Sequence, residues 1–330
     1  MTSDLRHIKQ AAGNALILSL AGPSLTPGEE RFLREASPVG VILFKRNIES
    51  LRSLELLCAD LRRIDHLRII AVDEEGGRVR RLPPGPYSLP SAQELAAMDD
   101  DAFSEKVRAL ARELRRLGVT MDMAPVVDLR SGGEVSIVGD RAFSADPDEV
   151  ARHAARYLSA LRDEGILGVI KHFPGHGATT VDSHKELPRI QKPYADLAAE
   201  DLLPYRRLAG TARFVMAAHI LIPEIDAELP ASISPAWGGI LRRELGFDGI
   251  LMTDDIEMHA LDRWSPEEKT ARFLAAESDI LLVCSGTEEV MRAHWEALVY
   301  AAERGTATRR RLEKTGERVD GELFSLLGPR

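Results

Sequence analysis

Eight short apolar runs, most of them unbroken by polar residues at alternate positions, recur along this chain at 15–21, 39–44, 68–72, 119–124, 168–170, 214–218, 249–253 and 279–284. Stretches of helical period separate them, at 29–36, 50–64, 103–117 and 148–164 among others. A strand with one face in water alternates apolar and polar residues, whereas an unbroken run is a strand covered on both faces, as in a parallel sheet. Strand and helix taking turns eight times predicts a single-domain α/β fold, a (β/α)8 TIM barrel spanning 1–330. A doubly wound open sheet, built from the same alternation, is the alternative. The charged, helical-period segment at about 307–327 is expected to pack on the barrel and close it.

The polar residues that follow these runs carry the functional argument. Lys45, Arg46, Asp73, Lys171, His172, His219, Asp254 and Asp255 each come directly after an apolar run or end it. In a parallel barrel every such end opens on the same face, which is where barrel enzymes react. One such residue is accounted for as a solvated charge at a strand end. Eight of them, brought to one mouth, point to an enzyme.

The densest of these stretches is 168–185. Lys171 and His172 end the strand, Pro174, Gly175 and Gly177 turn the chain, and the loop beyond carries His176, Asp182 and His184. Taken singly, a loop histidine is ordinary surface. Asp182 and His184, two residues apart, can pair so that the carboxylate fixes the imidazole tautomer and raises its basicity. His172, His176, Asp182 and His184 also form a conceivable metal-ligand set, but Lys171 beside them would repel a divalent cation, so no metal is expected.

Composition narrows the partners. A net charge of -9 argues against nucleic acid or an anionic membrane. The start of the chain lacks the order of a signal peptide, and no apolar run reaches the ~20 residues of a membrane span. Cys58 and Cys284 have neither metal nor redox spacing, and two reduced thiols fit a cytoplasmic protein. Neither nucleic acid nor a membrane is therefore expected as a partner, and the expected state is a monomer.

Asp254 is the leading nucleophile or charge stabiliser, because it follows Thr253 directly at a strand end. Asp255, pointing elsewhere in an extended backbone, is expected to form an ion pair or cap the next helix. Asp73 and Arg81 bracket a glycine turn and could be an ordinary ion pair; Arg141 is either a clamp for a ligand or a loop-ordering salt bridge. A carboxylate nucleophile with a separate proton donor is the arrangement of retaining glycoside hydrolysis, here with a histidine in the donor's role.

The strings Ala71-Val-Asp-Glu-Glu-Gly-Gly-Arg-Val-Arg-Arg81, Ala124-Pro-Val-Val-Asp128, Val138-Gly-Asp-Arg-Ala-Phe143, Lys171-His-Phe-Pro-Gly-His-Gly177, Asp182-Ser-His184 and Thr253-Asp-Asp255 closely resemble the family 3 glycoside hydrolases. Within that family they look like the single-domain bacterial β-N-acetylglucosaminidases of cell-wall recycling. The resemblance runs from about Ile42 to Cys284 and implies a barrel. It also implies Asp254 as nucleophile, His184 as mobile acid/base with Asp182 as its partner, and Asp73, Arg81, Arg141, Lys171 and His172 as sugar-binding residues. The implied reaction is removal of N-acetylglucosamine from N-acetylglucosaminyl-1,6-anhydro-muramic acid, with or without peptide, so the implied partner is a small carbohydrate and no cofactor is implied.

Two departures stand out. Many relatives continue Met-x-Gly-Ala after the nucleophile where this chain has Met258-His-Ala-Leu261, and a usual Ala-Gly before the eighth strand reads Ala276-Glu277, expected to be a packing variation. A phosphorylase using the same residues, a metal-dependent hydrolase and a silent sugar-binding protein are the competing readings. Product analysis in phosphate, chelators and Asp254→Ala separate them.

Overall fold

The computed structural model describes residues 3–130, 138–177 and 187–327. Nine parallel strand segments make one sheet: β1 (Leu16–Ser19), β2 (Gly40–Leu43), β3 (Ile69–Val72), β4 (Met121–Asp122), β5 (Leu167–Gly168), β6 (Ile170–Phe173), β7 (Phe214–Ala217), β8 (Ile250–Asp255) and β9 (Ile280–Val283). Their order is β5-β4-β3-β2-β1-β9-β8-β7-β6. First and last strands therefore lie side by side, with Leu16 opposite Leu281, which an open doubly wound sheet does not allow.

Only Val169 separates β5 from β6. Its N–H donates to Ala124 O at 2.9 Å, and Lys171 N–H to Pro125 O at 3.3 Å. The two segments are thus halves of one stave, the first paired with β4 and the second with β7, and the ring is the expected eight-stranded barrel.

Period-2 alternation decides what fills it. Ile17, Ile42, Ile69, Ala71, Met121, Leu167, Val169, Phe214, Met216, Ile250, Met252, Ile280 and Leu282 form one lumen cluster. The residues between them, such as Leu16, Leu18, Val41, Ile70, Val215, Leu251 and Leu281, face the helices outside. Both faces are buried, which is why the runs read as unbroken. Helices start where short polar side chains can take up free backbone N–H groups: Thr26, Ser50 and Ser265 each accept from the amide three residues on. The helix Asp100–Leu117 ends at Gly118, in the left-handed region at φ 93°.

The N-terminal end of the barrel, its foot, is closed by the helix Thr306–Leu327, which sends Val319 and Leu323 into the lumen cluster. Arginines fasten that cover. Arg318 Nη1 and Arg242 Nη2 donate to the buried Asp279 carboxylate at 2.7 and 2.6 Å, and Arg213 Nε donates to Glu322 at 2.8 Å. Nearby, Glu277 sits at φ 58°. The departure from Ala-Gly is therefore a matter of backbone conformation and not of packing: an L residue occupies a left-handed position that favours glycine. Among the described residues no helix is long and apolar enough to cross a membrane.

Candidate active site

Alternation places the site as well as the core. The lumen positions of β3 are 69 and 71, of β5 and β6 they are 167 and 169, and of β8 they are 250 and 252. Two residues further on, at the mouth, the same faces carry Asp73, Lys171 and Asp254. All three line a cavity of about 320 Å³ together with Glu75, Arg81, Arg141, His172, His176 and Asp255. That volume lies in the range of small-molecule sites. His172 breaks the alternation, since neighbouring residues of a regular strand face opposite ways. The pairing register with β7 slips between Lys171 and Phe173, and that with β9 slips between Met252 and Asp255. Such irregularities re-aim side chains beside active sites.

Paired charges line the wall. Lys171 Nζ, almost fully buried, donates to Asp73 Oδ1 at 2.8 Å and lies 2.7 Å from Glu75 Oε1. Arg141 grips Glu75 with two parallel bonds of 2.7 and 2.8 Å, and Arg81 Nη2 donates to Asp73 Oδ2 at 3.2 Å. Burial alone would raise the Glu75 pKa, but Lys171 and Arg141 outweigh it and hold the carboxyl well below its ordinary value. The same carboxylates raise Lys171 against the opposing effect of burial. Arg141 is thus engaged with a protein carboxylate at the cavity wall, and its Nη2 lies 3.5 Å from His172 Nε2.

Asp128 organises the histidines. Its buried carboxylate lies 2.7 Å from His172 Nδ1 and accepts the backbone N–H groups of His172 and His176 at 3.2 and 2.7 Å. A carboxylate can only accept, so the bond assigns the proton to His172 Nδ1 and leaves Nε2 toward Arg141. Burial raises the Asp128 pKa, and His172 more than offsets this, so the group stays ionised. His176 packs edge-on against His172, rings 5.4 Å apart, and burial beside that ring pushes its pKa down to about 4.

Asp254 is partly buried, yet its pKa lies below the ordinary carboxylate value. Burial opposes the charge; His219, His172, the Asp255 amide and Lys171 favour it and prevail. Asp255 N–H donates to Asp254 Oδ1 at 2.8 Å. His219, from the end of β7, donates from Nε2 to the Asp255 carbonyl oxygen at 2.7 Å, with Ser232 Oγ 2.6 Å from its Nδ1. Among the described residues Asp255 forms neither the ion pair nor the helix cap expected of it. Its carboxylate instead accepts the backbone N–H groups of Cys284 at 2.9 Å and Glu257 at 3.1 Å, tying the strand end to the residue that follows β9.

Asp73, Arg81, Arg141, Lys171, His172 and Asp254 therefore share one cavity. Asp182 and His184 lie outside the described residues, and so does half of the metal-ligand set that contained them. Glu75 was not singled out from sequence and Asp128 entered only within a motif, while His176 was named only as a conceivable metal ligand and His219 only as a strand-end residue. Glu75 shares the parity of Ile69, Ala71 and Asp73, and Asp128 is the carboxylate that follows β4, so both carried a usable signal.

A closed parallel barrel gathering an ionised aspartate, a carboxylate-oriented imidazole and cation–carboxylate pairs at its mouth defines a barrel glycoside hydrolase. Residues 25–321 match the family described as "Glycosyl hydrolase family 3 N terminal domain", and the chain belongs to that family. A "Beta-hexosaminidase" of Nitrosospira multiformis is 38% identical over 299 residues, which cover 85% of this chain and 84% of that protein. A second, of Alkalilimnicola ehrlichii, is 40% identical over 289 residues, covering 83% and 82%. The crystal structure of native NagZ from Neisseria gonorrhoeae superposes with a TM-score of 0.77 at 30% identity, covering 92% of this chain and 97% of that one. A family 3 β-N-acetylglucosaminidase from Paenibacillus sp. str. FPU-7 superposes with a TM-score of 0.87 at 31% identity; this chain covers 62% of that longer protein, and 96% of its own length is matched.

Proposed function

We propose that the protein is a retaining exo-β-N-acetylglucosaminidase that releases terminal N-acetylglucosamine from cell-wall fragments in the cytoplasm. The fragments are N-acetylglucosaminyl-1,6-anhydro-muramic acid, with or without peptide. The observation that carries the reading is Asp254: a partly buried carboxylate kept ionised in the wall of a cavity whose other charges are already paired and oriented. The hexosaminidase names of relatives that align over most of their own lengths support the choice of sugar.

In this reading Asp254 attacks the anomeric carbon while the bond to the leaving oxygen breaks, and His184, oriented by Asp182, supplies the proton to that oxygen. A covalent glycosyl-enzyme results. His184 then takes a proton from water, the water attacks the same carbon, and the Asp254 carboxylate leaves, so two inversions give net retention. Asp73, Arg81, Arg141, Lys171 and His172 hold the sugar hydroxyls. Because Lys171 and Arg141 are fixed by Asp73 and Glu75, the sugar meets donors that need not reorganise.

Trapping with a 2-fluoro glycoside tests the assignment. A modified peptide carrying the sugar on Asp254 is expected; a label on any other side chain, or none under conditions that stop turnover, overturns it.

A further inference from the structure

Phe44 belongs to none of the groups discussed so far. It follows β2 on the face of Ile42, packs on the lumen cluster and lines the cavity. Its backbone is fixed, since its N–H donates to the Oδ1 of the fully buried Asn47 at 2.9 Å. Two guanidinium groups lie over its ring, Arg46 with Cζ 4.8 Å from the centroid and Arg81 with Cζ 5.8 Å. Both distances are within reach of a cation–π attraction.

The two arginines differ in freedom. Arg46 donates to Leu20 O, Ser19 Oγ and Cys284 O, each at 2.9 Å, and so belongs to the barrel rim. Arg81 makes one side-chain hydrogen bond among the described residues, that of 3.2 Å to Asp73. One bond through one nitrogen leaves a guanidinium free to swing. The ring supplies the second constraint.

We propose that Phe44 is a positioning residue: its ring holds the Arg81 guanidinium in the plane that meets the sugar hydroxyls. The proposal rests on the reading of Arg81 as a sugar-binding residue. The test is a double-mutant cycle on 4-nitrophenyl β-N-acetylglucosaminide. Phe44→Leu is expected to raise KM about 3- to 30-fold, with kcat within about twofold. Phe44→Tyr, which keeps the ring, restores most of the loss. In an Arg81→Ala background Phe44→Leu should add nothing, because the group it acts through is gone. An equal penalty in both backgrounds, or a fall in kcat alone, overturns the proposal.

A ligand-free crystal structure of Phe44→Leu decides it independently of substrate. Displacement of the Arg81 guanidinium from Asp73 supports the role, and an unchanged contact removes it. If the wild-type protein leaves this glycoside intact, the substrate reading fails by itself and the variant structure still settles Phe44.

Discussion

The two ends of the barrel are built from the same strands and closed by opposite means. At the foot, Val319 and Leu323 of the helix Thr306–Leu327 fill the lumen, and arginines meet Asp279 and Glu322 around them. At the mouth no such cover enters among the described residues. Charges there are turned inward: Lys171 stands between Asp73 and Glu75, Asp128 holds His172, and Asp254 faces a cavity of about 320 Å³. Ion pairs occur at both ends, so their presence is uninformative. What distinguishes the mouth is that its pairs and Asp254 line one cavity together, whereas the pairs at the foot fasten a helix whose Val319 and Leu323 fill the lumen, with an opening of about 620 Å³ beside Asp279, Arg242 and Arg318.

The contrast predicts a clean division between activity and stability. The largest effect belongs to the mouth: Asp254→Asn should lower kcat by at least about 1000-fold, while the unfolding midpoint stays within a few degrees. Steady-state kinetics beside a thermal melt read both; wild-type turnover by the variant would move the chemistry elsewhere. At the foot, Leu323→Ala should cost about 2–4 kcal/mol in urea unfolding and leave kcat/KM at 25 °C unchanged. A selective loss of activity there would mean that the two ends are coupled.

Asp122 sharpens the comparison. It lies behind the mouth, accepts Glu74 N–H at 2.9 Å and Tyr157 O–H at 3.3 Å, and burial pushes its pKa up to about 8. A carboxyl raised in the folded state holds its proton where the unfolded chain has lost it. Its stabilising contribution is present below the unfolded pKa and falls as pH rises from about 4 toward 8. Wild type should therefore lose stability relative to Asp122→Asn between pH 5 and pH 8, by about 3–4 kcal/mol. Parallel unfolding curves at the two pH values would overturn this. The lowered groups, Asp254 and Asp128, act with the opposite sign: their contribution is present above the ordinary carboxylate pKa and is lost as pH falls through their depressed values.

The smallest effect returns to the foot. Glu277→Gly should relieve the left-handed position and raise stability by about 0.5–1 kcal/mol, with kinetics unchanged. A loss of stability would show that the Glu277 side chain contributes more than its backbone costs.

Much of this was legible in the chain because burial on both faces leaves an unbroken apolar run, and every strand was found from one. The edges were less secure: β4 is only Met121–Asp122, and β8 continues to Asp255. Asp73, Lys171 and Asp254 could be placed because strand-end position is a local property. The partners Glu75 and Asp128 were harder, since pairing across the mouth depends on which staves the ring brings close. The role of Asp255 was hard to read for a similar reason: among the described residues its partners include the backbone of Cys284, just past β9, which no spacing along the chain reveals. The positive φ of Glu277 left no mark in composition or period.

Every stave of the barrel precedes in the chain the helix that covers its foot. A nascent chain can therefore align all eight staves while one end of the lumen is still open to water. The step that seals it waits until the segment containing Val319 and Leu323 has left the ribosome. For that interval the half-finished enzyme exposes an oily interior, which makes it a natural client for chaperones and a hazard at high expression.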